Sequence, residues 1–185
     1  MPGDGCSLDC QIERVLISGK KLLLKHKDGD KPKHAIILQS LDTAIVPAEP
    51  GAAGDPTLGG GELRIVNLTT LEEERISFPA ENWRGLGKPA GAKGYKYLDK
   101  TLASGPCKLV LVKAGSLKVV CKGNQIGFTL NEPLQGSLVA TLGLGSDPLF
   151  CMQFGGTIKE KPAQNGKQGQ FNARSAPVPA ACPVP

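Results

Sequence analysis

The sequence predicts an all-β protein, an antiparallel β-sandwich of about eight to ten strands. The chain has 24 glycines and 15 prolines among 185 residues, a content typical of many short strands joined by tight turns. Its apolar residues fall in short runs at close intervals, each bounded by turn residues, and not at helical spacing. Hydrophobic residues make up 40% of the chain, which is enough for one core of sandwich size.

The first third of the chain predicts a strand at 11–18 followed by a β-hairpin. Apolar runs at 21–26 and 34–40 flank an Asp-Gly-containing turn at 27–32, which is a hairpin pattern. The Pro/Gly/Ala-rich stretch at 47–61 predicts a loop.

The middle of the chain predicts two paired strands and one helical turn. Residues 62–67 and 74–78 carry apolar side chains at every second position, as half-buried strands do. Pro79 stands at a first helical position and Gly85 follows the end, so a short helical turn is expected at 79–84.

Five further strands are expected in the second half. They lie at 107–113, 116–122, 125–130, 136–142 and 148–154. The turn between the first two places Cys107 opposite Cys121, where a cross-strand disulfide fits. The order of apolar runs also echoes that of the first half, which predicts two similar halves.

The six cysteines indicate three disulfides. They are Cys6, Cys10, Cys107, Cys121, Cys151 and Cys182. An even number with wide gaps fits a disulfide framework in an oxidising compartment, although fifteen connectivities are possible. No second close cysteine pair and no histidines stand at zinc-finger spacing, so we expect no metal and no cofactor.

Residues 3–13 resemble the end of the cysteine-rich disulfide repeat of secreted myxobacterial proteins. They read Gly-Asp-Gly-Cys-Ser-Leu-Asp-Cys-Gln-Ile-Glu. The resemblance implies that residues 1–14 are the remnant of an upstream repeat in a longer, secreted or cell-surface parent protein. That parent would also carry the signal peptide, because residues 1–4 have neither a basic nor an apolar signal region. No run reaches the ~18 apolar residues of a membrane span.

The rest of the chain resembles uncharacterised C-terminal β domains of secreted proteins from the same bacteria. The resemblance is carried by the segments 94–97, 105–108, 154–157 and 176–183, and it implies architecture but no activity. The expected organisation is a β-sandwich at 15–160 and a Pro/Gly-rich tail at 161–185.

Pairing of cysteines that are neighbours along the chain gives the expected connectivity. The repeat resemblance supports Cys6–Cys10, and the hairpin supports Cys107–Cys121. Elimination then leaves Cys151–Cys182, which would staple the tail back onto the sandwich.

The net charge of +5 comes mainly from scattered lysines. Nucleic-acid binding favours arginine forks and interleaved aromatic residues, so no nucleic-acid partner is expected. Lysines alternating with apolar residues are more simply the solvated faces and edges of strands.

Two sets of residues are candidates for chemistry. Trp83, Tyr95 and Tyr97 lie close in sequence and could form an aromatic platform for a polysaccharide; the alternative is that Trp83 plugs the core and the tyrosines line an edge strand. His26 and His34 could serve a small extracellular hydrolase, but their position beside the hairpin turn favours exposed strand ends. Asp-Gly-Asp at 28–30 is interpreted as a turn and not a calcium loop, because lysines surround it.

The expected function is a non-catalytic, secreted structural or binding module at the C-terminal end of a larger extracellular protein. Its expected partners are a polysaccharide or a cell-surface protein. Glycan binding through the three aromatic residues and hydrolysis through a histidine are the two alternatives.

Overall fold

Two β-sheets make up the fold, which confirms the predicted all-β sandwich. The computed structural model describes residues 14–27, 33–131 and 134–183. In these residues the strands are β1 (Arg14–Leu16), β2 (Gly19–His26), β3 (Ala35–Ser40), β4 (Gly61–Asn67), β5 (Glu73–Phe78), β6 (Trp83–Gly85), β7 (Tyr95–Leu98), β8 (Cys107–Lys113), β9 (Ser116–Lys122), β10 (Leu138–Leu144), β11 (Leu149–Phe154), β12 (Thr157–Lys161) and β13 (Gly169–Ala176).

The five-stranded sheet has the order β1-β11-β10-β4-β5, and the eight-stranded sheet has the order β12-β13-β2-β3-β9-β8-β7-β6. The described strand pairs are antiparallel apart from β1, which runs parallel to β11. Thirteen described strands exceed the predicted eight to ten. The excess includes β6 and β12, which are too short or too polar for the apolar pattern to predict.

The core lies between the two sheets and is filled by alternate residues of each strand. Leu63 and Ile65 of β4 pack inward beside Ile76 and Phe78 of β5, and all four side chains are buried. This confirms the period-two pattern of these strands. Burial of each such side chain contributes about 1.5–3 kcal/mol relative to its exposure.

The strand predicted at 125–130 is not part of either sheet. Ile126 and Phe128 are buried on alternate positions as in a strand, which explains the prediction. The backbone N–H groups of Gly127 and Phe128, however, donate to the Glu74 carboxylate, each at 2.8 Å. A side-chain oxygen thus takes the place of a neighbouring strand.

The predicted two similar halves are not seen. The matching order required a strand at 126–130 as the counterpart of β3, and no strand forms there. The eight-stranded sheet moreover joins β12, β13, β2 and β3 to β9, β8, β7 and β6, so strands from both ends and the middle of the chain share one sheet. Apolar runs alone do not determine which strands become neighbours.

The boundary predicted between a sandwich at 15–160 and a tail at 161–185 is wrong. Strand β13 lies inside the eight-stranded sheet between β12 and β2, and its Phe171 and Ala173 are fully buried. Tertiary pairing with β2 recruits this polar, glycine-rich segment to the core. At the other end, β1 begins at Arg14; the predicted repeat remnant before it lies outside the described residues.

Both disulfides predicted in the sandwich are confirmed. Cys107 and Cys121 face each other across β8 and β9. Cys151 of β11 is bonded to Cys182, which packs beside Val66 and Val139 on the outer face of the five-stranded sheet. The predicted Cys6–Cys10 pair lies outside the described residues.

The described residues form two short helical elements. A 3-10 turn at Ala80–Asn82 confirms the helical turn expected at 79–84. The predicted loop at 47–61 contains one helical turn, α1 (Pro56–Gly59), which begins with proline and is capped by the Asp55 carboxylate accepting from the Thr57 N–H at 2.9 Å. Aspartate before proline is a helix start that the composition of the loop concealed.

Removal of the Cys151–Cys182 disulfide should destabilise the protein more than removal of Cys107–Cys121. The two bridges close 31 and 14 residues of sequence, and the chain-entropy model gives losses of about 4 and about 3 kcal/mol. Denaturant unfolding of the two double-alanine variants measures both losses. Unfolding free energies equal to that of the wild type would contradict a stabilising role for the bridges.

Candidate binding surface

The three aromatic residues proposed as a sugar platform lie in the core. Trp83, Tyr95 and Tyr97 are 6%, 1% and 1% exposed. The Trp83 ring packs against Tyr97 and Phe78, with ring centroids 5.6 and 6.2 Å apart, and its indole N–H donates to the Phe78 carbonyl at 3.2 Å. This arrangement matches the alternative interpretation, in which Trp83 plugs the core.

No described aromatic side chain offers a face to a ligand. The chain contains five Phe, two Tyr and one Trp, and all eight rings are buried. Tyr95 donates its hydroxyl to the Ala48 carbonyl at 3.1 Å, and burial raises its pKa to about 12. Ligand binding through Trp83, Tyr95 and Tyr97 therefore gains no support from their placement.

The two histidines are packed together and are not the exposed strand ends that the sequence favoured. His26 ends β2 and is 3% exposed. His34 stands just before β3, and the two ring centroids lie 4.4 Å apart. The His34 Nδ1–H donates to the Ile126 carbonyl at 2.7 Å, which ties the hairpin to the chain that crosses between the sheets.

Two carboxylates hold the same crossing segment. Glu74 accepts from Gly127 and Phe128, and Glu72 accepts from the Thr129 N–H at 2.5 Å. Burial raises the pKa of Glu74, while its two backbone hydrogen bonds oppose that rise. Both carboxylates are therefore engaged in holding backbone.

A surface cleft of about 480 Å³ lies beside His34. It is lined by Lys25, Lys33, Lys122 and Gln168, with Ala35 and Gly123 at its base. A hydrolase would need a hydroxyl, thiol or carboxylate near the histidine, and none is among these lining residues. The hydrolase alternative therefore gains no support, whereas three lysines at one cleft favour an anion.

The described part of the chain offers neither a metal cluster nor a membrane-spanning helix. No group of three or more His, Cys, Asp or Glu side chains in it could hold a metal ion. Residues 28–30, which the sequence analysis interprets as a turn and not as a calcium loop, lie outside the described residues. No described helix is long and apolar enough to cross a membrane.

The outer face of the eight-stranded sheet, which we call the basic face, carries an unusual share of the charge. The strand registers place its side chains in three neighbouring rows across the sheet. These rows hold nine of the chain's 22 Lys and Arg residues and none of its 17 Asp and Glu residues. The nine are Lys21, Lys25, Arg84, Lys96, Lys118, Lys122, Lys159, Lys161 and Arg174.

The central row is apolar from β2 to β7 and ends in Asn172 and Lys159 on β13 and β12, and the two outer rows hold the other eight cations. Cross-strand neighbours make up the apolar row, which runs Leu23, Ile37, Val120, Leu109 and Leu98. On β2, Lys21 and Lys25 flank Leu23, and they are only half-exposed. Lysine stems pack along apolar surface in this way while the ammonium group stays in water.

The charges of the basic face have no ion-pair partners among the described residues. The described ion pairs lie on the five-stranded sheet, where Arg64 pairs with Glu73 at 2.9 Å and Arg75 pairs with Glu62 and Glu73. The five-stranded sheet thus neutralises charges on its outer face through ion pairs, whereas the rows of the basic face carry positive charge alone. Such a single-sign surface attracts anionic partners.

The spacing of lysines along β2 and β9 is a sequence signal for this surface. Lys21 with Lys25, and Lys118 with Lys122, are four residues apart, so each pair lies on one face of its strand. The pattern does not show that β2 and β9 are separated by a single strand.

Comparison of the chain with family models, curated proteins and solved structures finds no match. The resemblance of residues 3–13 to a myxobacterial repeat therefore stays a prediction.

Replacement of Glu74 by alanine should lower the unfolding free energy by about 2–4 kcal/mol, because two N–H groups lose their acceptor. Glu74→Gln keeps an acceptor oxygen and should change the unfolding free energy by about 1 kcal/mol or less. Denaturant unfolding of the two variants measures the difference. Equal losses in both would contradict the backbone-anchoring role.

Comparison of Glu74→Gln with the wild type over a range of pH tests the raised pKa of Glu74. A raised folded-state pKa means that Glu74 favours folding when protonated, and this contribution is lost as the pH rises through the folded-state pKa. The unfolding free energy of Glu74→Gln relative to wild type should therefore increase from acidic to neutral pH. A difference that does not change with pH would contradict the shift.

Proposed function

We propose that the protein is a non-catalytic binding module of an extracellular protein, and that it holds an anionic partner on the basic face. The observation that carries the proposal is the row arrangement, in which nine cations and no carboxylate share one face. A uniformly positive surface that served only for solubility would not need to exclude every acidic residue.

Rigidity of the sheet supports binding in place of catalysis. The cations stand on strands that pair on both sides, except at the sheet edges, so the backbone that carries them is ordered before a partner arrives. An ordered backbone reduces the conformational entropy that is lost on binding. The described histidines and acidic residues Glu72 and Glu74 hold backbone or pack together, and are not gathered around a nucleophile.

The disulfides support an extracellular setting. Cys107–Cys121 and Cys151–Cys182 both form within the sandwich, and such bridges persist in oxidising compartments. Many anionic polymers and surfaces are met there, and attraction to them needs no deep pocket.

Neutralisation of Lys21 and Lys118, which share one basic row, should weaken binding to a polyanion. Lys21→Gln with Lys118→Gln should raise the Kd for dextran sulfate about five- to thirtyfold, since each exposed charge contact contributes about 0.5–1 kcal/mol. Isothermal titration calorimetry with dextran sulfate, and with neutral dextran as the blank, measures the change.

Lys88→Gln with Lys93→Gln is the matched control. It removes the same charge from the loop before β7 and leaves the basic face intact. Its Kd should stay within about twofold of the wild-type value. An equal loss in both double variants would show that only net charge matters and would overturn the proposed surface.

A further inference from the structure

We infer that the partner of the basic face is an acidic polysaccharide, and that the cleft beside His34 seats one of its carboxylated sugar units. The inference rests on the proposed function, because it names the chemistry of the anionic partner. The inference also assigns a binding subsite for one sugar unit to the cleft, which the proposed function does not do.

The cleft has the size and the charge for such a unit. Its volume is about 480 Å³, which is within the range of small-ligand sites. Lys25, Lys33 and Lys122 supply ammonium donors for a carboxylate, and the Gln168 amide can bind a sugar hydroxyl. Lys25 and Lys122 both flank Ala35 in one basic row, so the cleft opens directly onto the basic face.

The apolar row gives the polymer a track. Leu23, Ile37 and Val120 are cross-strand neighbours, and the C–H face of a pyranose ring packs on aliphatic surface of this kind. The two basic rows lie on either side, about 13 Å apart at about 3.3 Å per residue. Carboxylates on alternate sides of a sugar chain can therefore reach either row.

Nucleic acid fits this surface less well. Binding of single strands relies on aromatic side chains that stack on bases, and all eight aromatic residues are buried. Nucleic-acid recognition also favours arginine, whose planar guanidinium can stack as well as form paired hydrogen bonds. Seven of the nine cations in the rows are lysine, which acts as a point charge.

A membrane surface also fits less well. Proteins that lie on membranes insert exposed apolar or aromatic side chains between the headgroups. The exposed large hydrophobic residues among those described include Leu41, Leu58, Leu71 and Leu134, and none of these belongs to the three rows. The side chains of the apolar row are half-buried or buried between lysine stems.

Fluorescence anisotropy with labelled oligogalacturonate tests the inference. The wild type should bind the oligomer, and the same oligomer with its carboxylates methyl-esterified should not bind, because the sugar rings remain but the charge is lost. Lys25→Gln with Lys122→Gln should raise the Kd about five- to thirtyfold. The Lys88→Gln, Lys93→Gln protein should bind like the wild type.

Two further probes decide between sources of negative charge. Single-stranded DNA and phosphatidylglycerol vesicles should bind at least about tenfold more weakly than oligogalacturonate at equal salt. Tighter binding of either would overturn the polysaccharide inference, and so would a Lys25/Lys122 variant that binds the oligomer normally.

Failure of the inference is distinguishable from failure of the proposed function. Lysine-dependent binding of dextran sulfate without binding of oligogalacturonate would support the basic face as an anion-binding surface and would overturn the uronate subsite. Loss of both would overturn both. Circular dichroism melting of each variant confirms that a lost affinity is not a lost fold.

Discussion

Alternation of side chains along β2, β3 and β9 is the constraint on which both the core and the basic face depend. Leu22 and Leu24 are buried in the core, so Lys21, Leu23 and Lys25 must lie on the opposite side of the same strand. The neighbouring strands stand in a register that repeats this division across the whole sheet. A slip by one residue in β2 or β9 would move its outward-facing lysines into the core and its core residues into water. The demand for a dry interior therefore also assembles the cations on the outside.

The sandwich must also hold the chain where it passes from one sheet to the other. Between β9 and β10 the described backbone lacks a strand partner, and Glu72 and Glu74 supply acceptors for it. Glu160 accepts from the Gln135 N–H at 3.0 Å farther along the same connection. A buried carboxylate is costly, as the raised pKa of Glu74 shows, but an unbonded buried N–H group would also be costly. The Cys151–Cys182 disulfide anchors the C-terminal segment to the outer face of the other sheet in a comparable way.

The two outer faces differ because their charges are arranged differently. On the five-stranded sheet, Arg64 stands across from Arg75 with Glu62 and Glu73 beside them, and ion pairs neutralise the group. Arg64 and Arg75 together hold the pKa of Glu73 below its usual range through hydrogen bonds from their guanidinium groups. On the basic face no carboxylate stands in any of the three rows. The positive charge of this face is thus not neutralised within its rows, which is the physical basis for the proposal that an anionic partner binds there.

The sequence by itself determined the all-β class, most strands of the hairpins and the position of Cys107 opposite Cys121, because these depend on period two and on turn residues, whereas Cys151–Cys182 was expected only by elimination. It did not determine the place of β13, whose Gly- and Asn-containing sequence becomes interior only because β2 pairs with it. The sequence also predicted a strand at 125–130 that does not form. Apolar alternation does not reveal that the backbone N–H groups of Gly127 and Phe128 will donate to the Glu74 carboxylate and not to a neighbouring strand. Lys21 and Lys118 were visible as strand residues, yet they lie 97 positions apart in the numbering and are brought together through Gln39 alone. Only the tertiary structure decided that scattered lysines form one surface, because strand order is a property of long-range pairing and not of any local pattern.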